Sequence, residues 1–454
     1  MEIMIKNKQA LLRVLVVVLI FSVMNAFLFN VALPFIQKEF SLSSADISWV
    51  VSAYMMIYAV GTVIYGKLAD IYSLNRLLQI GLIILALGSL IGLFAVNYQM
   101  VIVSRMLQAA GAAVIPTVAM IAPARFFPKE ERGKAIGTLA IGMALGTALG
   151  PIISGVVAEV GNWRLLFALS FIPLLTLPFL TKYLPVKIDK NASKAIDYIG
   201  ATLLTVTIAF LVLTITNFNI TFAIIFLVLF VLFIIRINTY HTPFVLPSLF
   251  QNKSFSFTLV ITFLTASLLF ALTFVTPLLL DKMHHLSPVF IGIVLFPSAV
   301  IAALLGKKGG ALADKYGNSF VFYLSIFFLG LCYFLLSLFV STNPIWIAII
   351  LILGNIGATF IRVALTNTIS LTLPKESVGV GMGFFTMFNF IAGAVATSLI
   401  GTLLEANFIT SFKVYPFIQS IVELRFSHVF LILAIIACVI TTVYIFVKKH
   451  YLVR

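Results

Sequence analysis

The sequence predicts an all-α polytopic membrane protein of fourteen spanning helices, built as two repeated six-helix halves with two further spans between them. Three observations carry that prediction. Hydrophobic residues make up 62% of the 454 and charged residues only 9%, whereas a water-soluble domain keeps roughly a quarter of its residues charged. Apolar runs long enough to cross a bilayer recur along the whole chain. A short motif, Gly66-Lys-Leu-Ala-Asp70, returns as Gly310-Ala-Leu-Ala-Asp314.

Taken in order, the spans read near 12–34, 47–66, 77–96, 100–122, 135–157, 164–184, 197–216, 220–236, 255–280, 289–306, 319–340, 345–367, 379–404 and 427–447. The basic N-terminal stretch runs straight into the first span with no small-residue cleavage site after it, so that span is expected to be retained. The repeated motif follows the second and the tenth span. It divides the chain into an N-terminal six-helix bundle (1–190), two inserted spans with a linker (191–254) and a C-terminal six-helix bundle (255–454). The segment 237–254 is too short and polar to span and is expected to lie along the membrane surface.

A net charge of +15 invites a nucleic-acid partner, and the placement of the charge argues against one. Of the 29 Lys and Arg, only Arg105 and Arg362 lie within spans away from their ends, and only Lys38, Arg164, Lys282, Lys413 and Arg425 fall at the side away from both termini. The rest gather at the side that the termini share, which marks that side as cytoplasmic. Cys332 and Cys438 both lie in apolar segments, so a disulfide framework is not expected. The five histidines have no ligand spacing, and there is no P-loop, nucleotide fold or nucleophile motif. No metal, no cofactor and no enzyme chemistry are expected.

Four features could carry function. In each motif copy the Asp is expected at the start of a helix, where Asp70 and Asp314 could serve as plain caps or, being repeated, as an inner gate with Arg76 nearby. Arg105 stands ~7 Å along the fourth span from its outer end at 1.5 Å per residue; it could snorkel outward, or pair into the bundle with Gln108 on the same face. Arg362 lies deeper, on a face with Asn355, Thr359 and Thr366, and an intramembrane charge is by default a functional hypothesis. The stretch 137–155 places Gly142, Gly146, Gly150 and Ser154 four apart on one smooth face, with Pro151 beside it. Either ordinary small-residue packing or a moving seam between bundles fits that face.

No Asp or Glu lies near the middle of a span. The nearest acids, Glu159, Asp281 and Glu405, sit at outer helix ends, and Asn25 and Asn30 are the deepest polar groups of the first span. Buried cations without a central acid favour a neutral, zwitterionic or anionic cargo.

These residues resemble the major facilitator superfamily, and within it the fourteen-span drug:proton antiporters of bacteria. Gly66–Asp70 with Arg76 is similar to that family's loop motif, and Gly310–Gly317 to its second-half copy. Arg105-x-x-Gln108-x-x-Gly111 resembles the fourth-helix motif, whose Arg the family links to proton coupling. Gly146, Gly150, Pro151 and Gly155 resemble the fifth-helix motif of exporters, and Asn30-Val-Ala-Leu-Pro34 the first-helix ending of the fourteen-span branch. Tyr65–Asp70, Ala124–Ala135 and His285-Leu-Ser are similar to loops of Gram-positive tetracycline/proton antiporters, with Arg362 where those pumps carry a buried Lys. The chain departs from the pattern at Asn25, where the branch often has Asp; at Thr147 and Gly393, which align with acids of the tetracycline pumps; and at Ser73, which replaces a Gly.

The resemblance implies the major facilitator fold in a bacterial cytoplasmic membrane, with both termini cytoplasmic and a monomeric transporter. It implies export of small amphipathic drugs, multidrug or tetracycline-type, in exchange for protons by alternating access, and hence antibiotic resistance. Asp70, Arg76 and Asp314 would form the gate. Arg105, with Glu405, Asp281 and Glu159, would couple to protons. Asn25, Asn30, Gln108, Asn355 and Arg362 would line the cavity, and Gly146, Gly150, Pro151 and Gly155 would form the seam. The alternative on the same fold is an exporter of a lipid, glycolipid or anionic endogenous metabolite.

Overall fold

The computed structural model describes residues 8–127, 129–160, 162–184, 197–241, 243–245, 247–372, 378–407, 414–415 and 420–450. They form fourteen spans: α1 (Lys8–Glu39), α2 (Ser44–Ile71), α3 (Leu74–Leu93), α4 (Tyr98–Ala112 continuing as Val114–Phe126), α5 (Lys129–Val160), α6 (Leu165–Leu169, a 3-10 turn at Ile172–Thr176, and Leu177–Tyr183), α7 (Tyr198–Asn217), α8 (Ile220–Thr239), α9 (Lys253–His284), α10 (Pro288–Tyr316), α11 (Asn318–Leu338), α12 (Pro344–Thr372), α13 (Val378–Leu403) and α14 (Ile421–His450). A one-turn helix, Pro247–Phe250, precedes α9. Thirteen of these spans are long and apolar enough to cross a membrane by themselves, and α5 contributes a shorter apolar stretch, Leu145–Val157.

Local chemistry sets the boundaries. Ser43, Ser73, Asn97, Asp197, Asn219 and Asn252 each accept a backbone N–H from the first turn of the following helix, satisfying donors that have no intrahelical partner. Phe218 and His285 end α7 and α9 in the left-handed region. Successive spans run in opposite directions, so Lys8 and His450 lie at one end of the bundle, the terminal end, and the α1–α2, α9–α10 and α13–α14 connections at the far end.

Helix pairing repeats along the chain. In the first six spans α1 packs on α5, α2 on α4 and α3 on α4; in the last six α9 packs on α13, α10 on α12 and α11 on α12. The two sets meet along crossed seams, α2 against α13 and α5 against α10. The inserted α7 lies against both α2 and α13, and α8 packs on α7, with only 6% of its apolar window buried. A helix apolar on all sides and so little covered has its faces toward lipid.

Two expectations are corrected. Asp70 and Asp314 do not begin helices; they stand in the last turns of α2 and α10. Nothing in Gly66–Asp70 or Gly310–Tyr316 breaks a helix, so each helix continues until Ser73 caps the next one or Gly317, at φ +84°, turns the chain. For the same reason α10 runs about ten residues past its expected end, carrying Lys307 and Lys308 on the helix instead of in a loop.

Candidate substrate pathway

α4 carries Arg105 into the middle of the first six spans, fully buried. Its Nε donates to the Val50 carbonyl at 3.3 Å and its Nη1 to Gln108 Oε1 at 2.9 Å and the Asn25 carbonyl at 3.4 Å. Gln108 in turn donates to Ser89 Oγ at 2.8 Å and Ser170 Oγ at 3.1 Å, and Ser170 donates to Asn25 Oδ1 at 3.3 Å. The guanidinium carbon lies 4.4 Å from the Phe29 ring centroid and 4.0 Å from that of Tyr54. Backbone carbonyls, an amide and two aromatic faces thus replace a counter-carboxylate around this cation. The pairing of Arg105 with Gln108 is as expected; Tyr54, Ser89 and Ser170 are not visible as partners in the sequence, because they come from other helices. The network is incomplete: among the described residues, Arg105 Nη2, Asn25 Nδ2, Asn30 Oδ1 and Tyr54 Oη are buried without a hydrogen-bond partner.

Arg362 differs in each respect. Its side chain is exposed. Among the described residues it has no hydrogen-bond or ion-pair partner. One turn or two toward the far end on the same face, Thr359 is partly buried and Asn355 donates to Ser298 Oγ of α10 at 2.9 Å. Aromatic rings meet across the two sets at mid-depth: Tyr54 stacks on Tyr58 at 5.6 Å, Tyr58 meets Phe390 at 4.4 Å, Phe390 meets Phe270 at 6.0 Å, and Phe270 stacks on Phe27 at 6.1 Å. The run passes from α2 through α13 and α9 to α1, crossing between the two sets of six.

Hydrogen bonds joining those sets gather at the far end. Lys38 pairs with Asp281 at 2.6 Å, Ser44 N–H donates to Glu405 Oε1, Lys282 Nζ donates to Ser44 Oγ at 3.2 Å, and Val289 N–H donates to Glu159 Oε2 at 3.5 Å. Backbones also approach closely there: a Cβ on Gly401 would collide with the Ser44 carbonyl, and one on Gly155 with that of Pro288. At the terminal end, open space surrounds Gly310 of α10 and Gly383 of α13. Asp314 is exposed and without an ion-pair partner among the described residues, and Arg76 is likewise exposed and unpaired. The Asp70 side chain lies outside what the structure describes.

The small-residue face of α5 is split. A Cβ on Gly146 would strike the Ile20 carbonyl of α1 and one on Gly142 would crowd Val16, while Gly150 stands opposite Met24, also of α1. Gly142, Gly146 and Gly150 therefore pack within the first six spans and not at the seam as expected. Only Gly155 and Pro151 reach α10, through Pro288 and Gly292. Four-residue spacing keeps 146 and 150 together, and a further five residues at 100° each turn Gly155 well away from them, onto the Pro151 face.

Asp197 was missed in the sequence. Its carboxylate is fully buried at the cap of α7, accepting the Gly200 and Phe244 N–H groups and the Arg236 guanidinium at 3.0 Å. Burial pushes this carboxyl up, but the Gly200 N–H, Arg236 and the Phe244 N–H together outweigh it and hold it below the usual range. Beside it, Lys67 of the repeated motif donates to the Pro243 carbonyl at 2.7 Å and sits 5.2 Å from the Phe244 ring centroid.

Residues 15–397 of the chain match the family model of the Major Facilitator Superfamily. The chain belongs to that superfamily. It is a multi-pass membrane transporter and not an enzyme. Among its relatives, the riboflavin transporter RibZ of Clostridioides difficile (strain 630) is 26% identical over 398 residues, covering 87% of each chain. Multidrug resistance protein 3 of Bacillus subtilis (strain 168) is 25% identical over 326 residues, 69% of this chain and 63% of that one. In fold, a bacterial homologue of the human lysosomal transporter Spinster, solved inward-facing, matches with a TM-score of 0.69 at 15% identity over 98% of both chains.

Proposed function

We propose that this transporter exports small amphipathic organic compounds across a bacterial cytoplasmic membrane in exchange for protons, by alternating access. The observation that carries the reading is one-sided closure. One ion pair, three hydrogen bonds and close backbone contacts join the two sets at the far end, a Cβ added at Gly310 or Gly383 would meet nothing at the other, and an aromatic run crosses between the sets at mid-depth. A carrier that opens to one side at a time needs two such arrangements of the same halves. In this reading the rigid units are 1–190 and 255–454, with 191–254 between them, and both termini are cytoplasmic.

Asp281 and Glu405 hold the outer gate, and protonation from outside releases them from Lys38 and the α2 N-terminus. Arg105 fixes the polar centre of the first half. Asp70 and Asp314 find partners at the inner end when the outer end opens. Flat apolar cargo suits the Tyr58, Phe390 and Phe270 faces, and relatives named for riboflavin and for multidrug resistance both move organic solutes.

The test is proton-driven dye or drug accumulation in inverted vesicles, expected to collapse with an uncoupler. Accumulation that survives the uncoupler overturns proton exchange. Unchanged uptake in both Arg105→Ala and Asp70→Asn overturns the roles given to them. A second reading rests on Arg362: with no acidic partner, it favours an anionic lipid, glycolipid or metabolite as cargo. In that case Arg362→Gln abolishes transport of the anion and spares cationic dyes, and equal loss of both removes the reading.

A further inference from the structure

Outside the central path, a groove of about 660 Å³ runs down the outer flank between α2, α3 and α4 on one side and the inserted α7 on the other. Its walls are mainly apolar, formed by Ile57, Ile64, Leu68 and Ile80 with Thr205 of α7 opposite. At the terminal end it finishes at Tyr72 and Arg76. Arg76 is exposed and, among the described residues, has no ion-pair or hydrogen-bond partner for its side chain. It stands in the first turn of α3, where the helix dipole adds to its positive potential. Lys67, the neighbouring cation, is already committed to the Pro243 carbonyl.

The dimensions select the occupant. From Ile57 to Tyr72 along α2 the rise is about 22 Å at 1.5 Å per residue, and one leaflet of a bilayer, headgroups included, is roughly 20 Å thick. The groove therefore spans one leaflet, apolar through the hydrocarbon and cationic at the headgroup. Tyr72 at its mouth is 40% exposed and has the amphipathic ring that favours that level.

We infer that this groove is a binding site for one anionic phospholipid of the terminal-end leaflet. The acyl chains lie along Ile57 to Leu68 and the phosphate sits at Arg76. The inserted α7 supplies the second wall, so the two added spans turn an open flank of the first half into a lipid site. This inference does not depend on the nature of the cargo.

The experiment is native mass spectrometry of the detergent-purified full chain, titrated in parallel with phosphatidylglycerol, phosphatidylcholine and inorganic phosphate. Wild type is expected to retain phosphatidylglycerol about fivefold more tightly than phosphatidylcholine, the factor that one basic side chain contributes at an anionic headgroup. Arg76→Gln removes that preference and Arg76→Lys restores it. Thr205→Trp, which fills the groove without changing its charge, reduces retention of both lipids. Equal retention of the two lipids by wild type overturns the proposal, as does a preference that survives Arg76→Gln. Displacement of phosphatidylglycerol by inorganic phosphate alone shows a free-phosphate site and overturns it too.

Discussion

The two intramembrane arginines solve the same electrostatic problem in opposite ways. Arg105 is sealed between two rings and held by carbonyls and Gln108, while Arg362 is exposed and has no partner among the described residues. A charge taken wholly out of water is tolerable only when most of its donors are satisfied. An exposed charge keeps its water until something better arrives. Arg105 is thus part of what makes the first half rigid, and Arg362 is available to whatever enters.

The largest effect that can break this contrast is Arg105→Ala. It leaves Gln108 Oε1 without its donor and a cavity where the guanidinium lay, a loss of about 3–5 kcal/mol, as for other large core truncations. We expect lower thermal stability together with transport below a tenth of wild type. Transport lost with full stability would make Arg105 a cargo contact. Arg362→Gln should behave inversely: stability within ~0.5 kcal/mol, as for surface positions, and a roughly tenfold fall in uptake of anionic or neutral cargo, worth about 1.4 kcal/mol. Matched measurements of melting and uptake on both variants decide the contrast.

A smaller effect is expected at Asp197, a buried charge that has a true ionic partner. Asp197→Asn should loosen the base of α7, read as faster amide exchange at Gly200 and Phe244, by about 1–3 kcal/mol. The sign with pH follows from its lowered pKa. The stabilisation is complete above the ordinary carboxylate value near 3.9, and it is lost as pH falls through the lower folded value. Protection of these amides relative to their intrinsic exchange rates should therefore be flat between pH 5 and 8 and fall only in strong acid. The smallest effect belongs to Lys38→Ala. Its partner Asp281 is buried but Lys38 itself is 63% exposed, so the pair contributes at most about 1 kcal/mol. The melting temperature of Lys38→Ala should therefore fall by no more than a few degrees, and a larger fall would show the pair to be sealed from water.

Much of this was legible in the residues. Fourteen apolar runs, the recurring Gly-x-Leu-Ala-Asp and the three-residue spacing of Arg105 and Gln108 are local signals, and local periodicity survives folding. What could not be read is what depends on neighbours. Gly146 and Gly155 sit in one small-residue run, but which faces α1 and which α10 is decided by how α5 is rotated in the bundle. Asp70 and Asp314 look like caps because they are acids near a helix boundary; the boundary itself lies a few residues further on. Asp197 carries no motif at all, and its burial follows from a loop after α8 folding back on it.

The contact between Lys67 and Pro243 has a mechanical consequence. The chain leaving α8 is pinned to the end of α2 by that hydrogen bond, by the Phe244 ring and by the Asp197 knot, before it travels the short distance to α9. Among the described residues, these contacts tie the end of α2 to the base of the inserted pair, so a tilt of α2 loads the Pro243–Phe244 stretch directly.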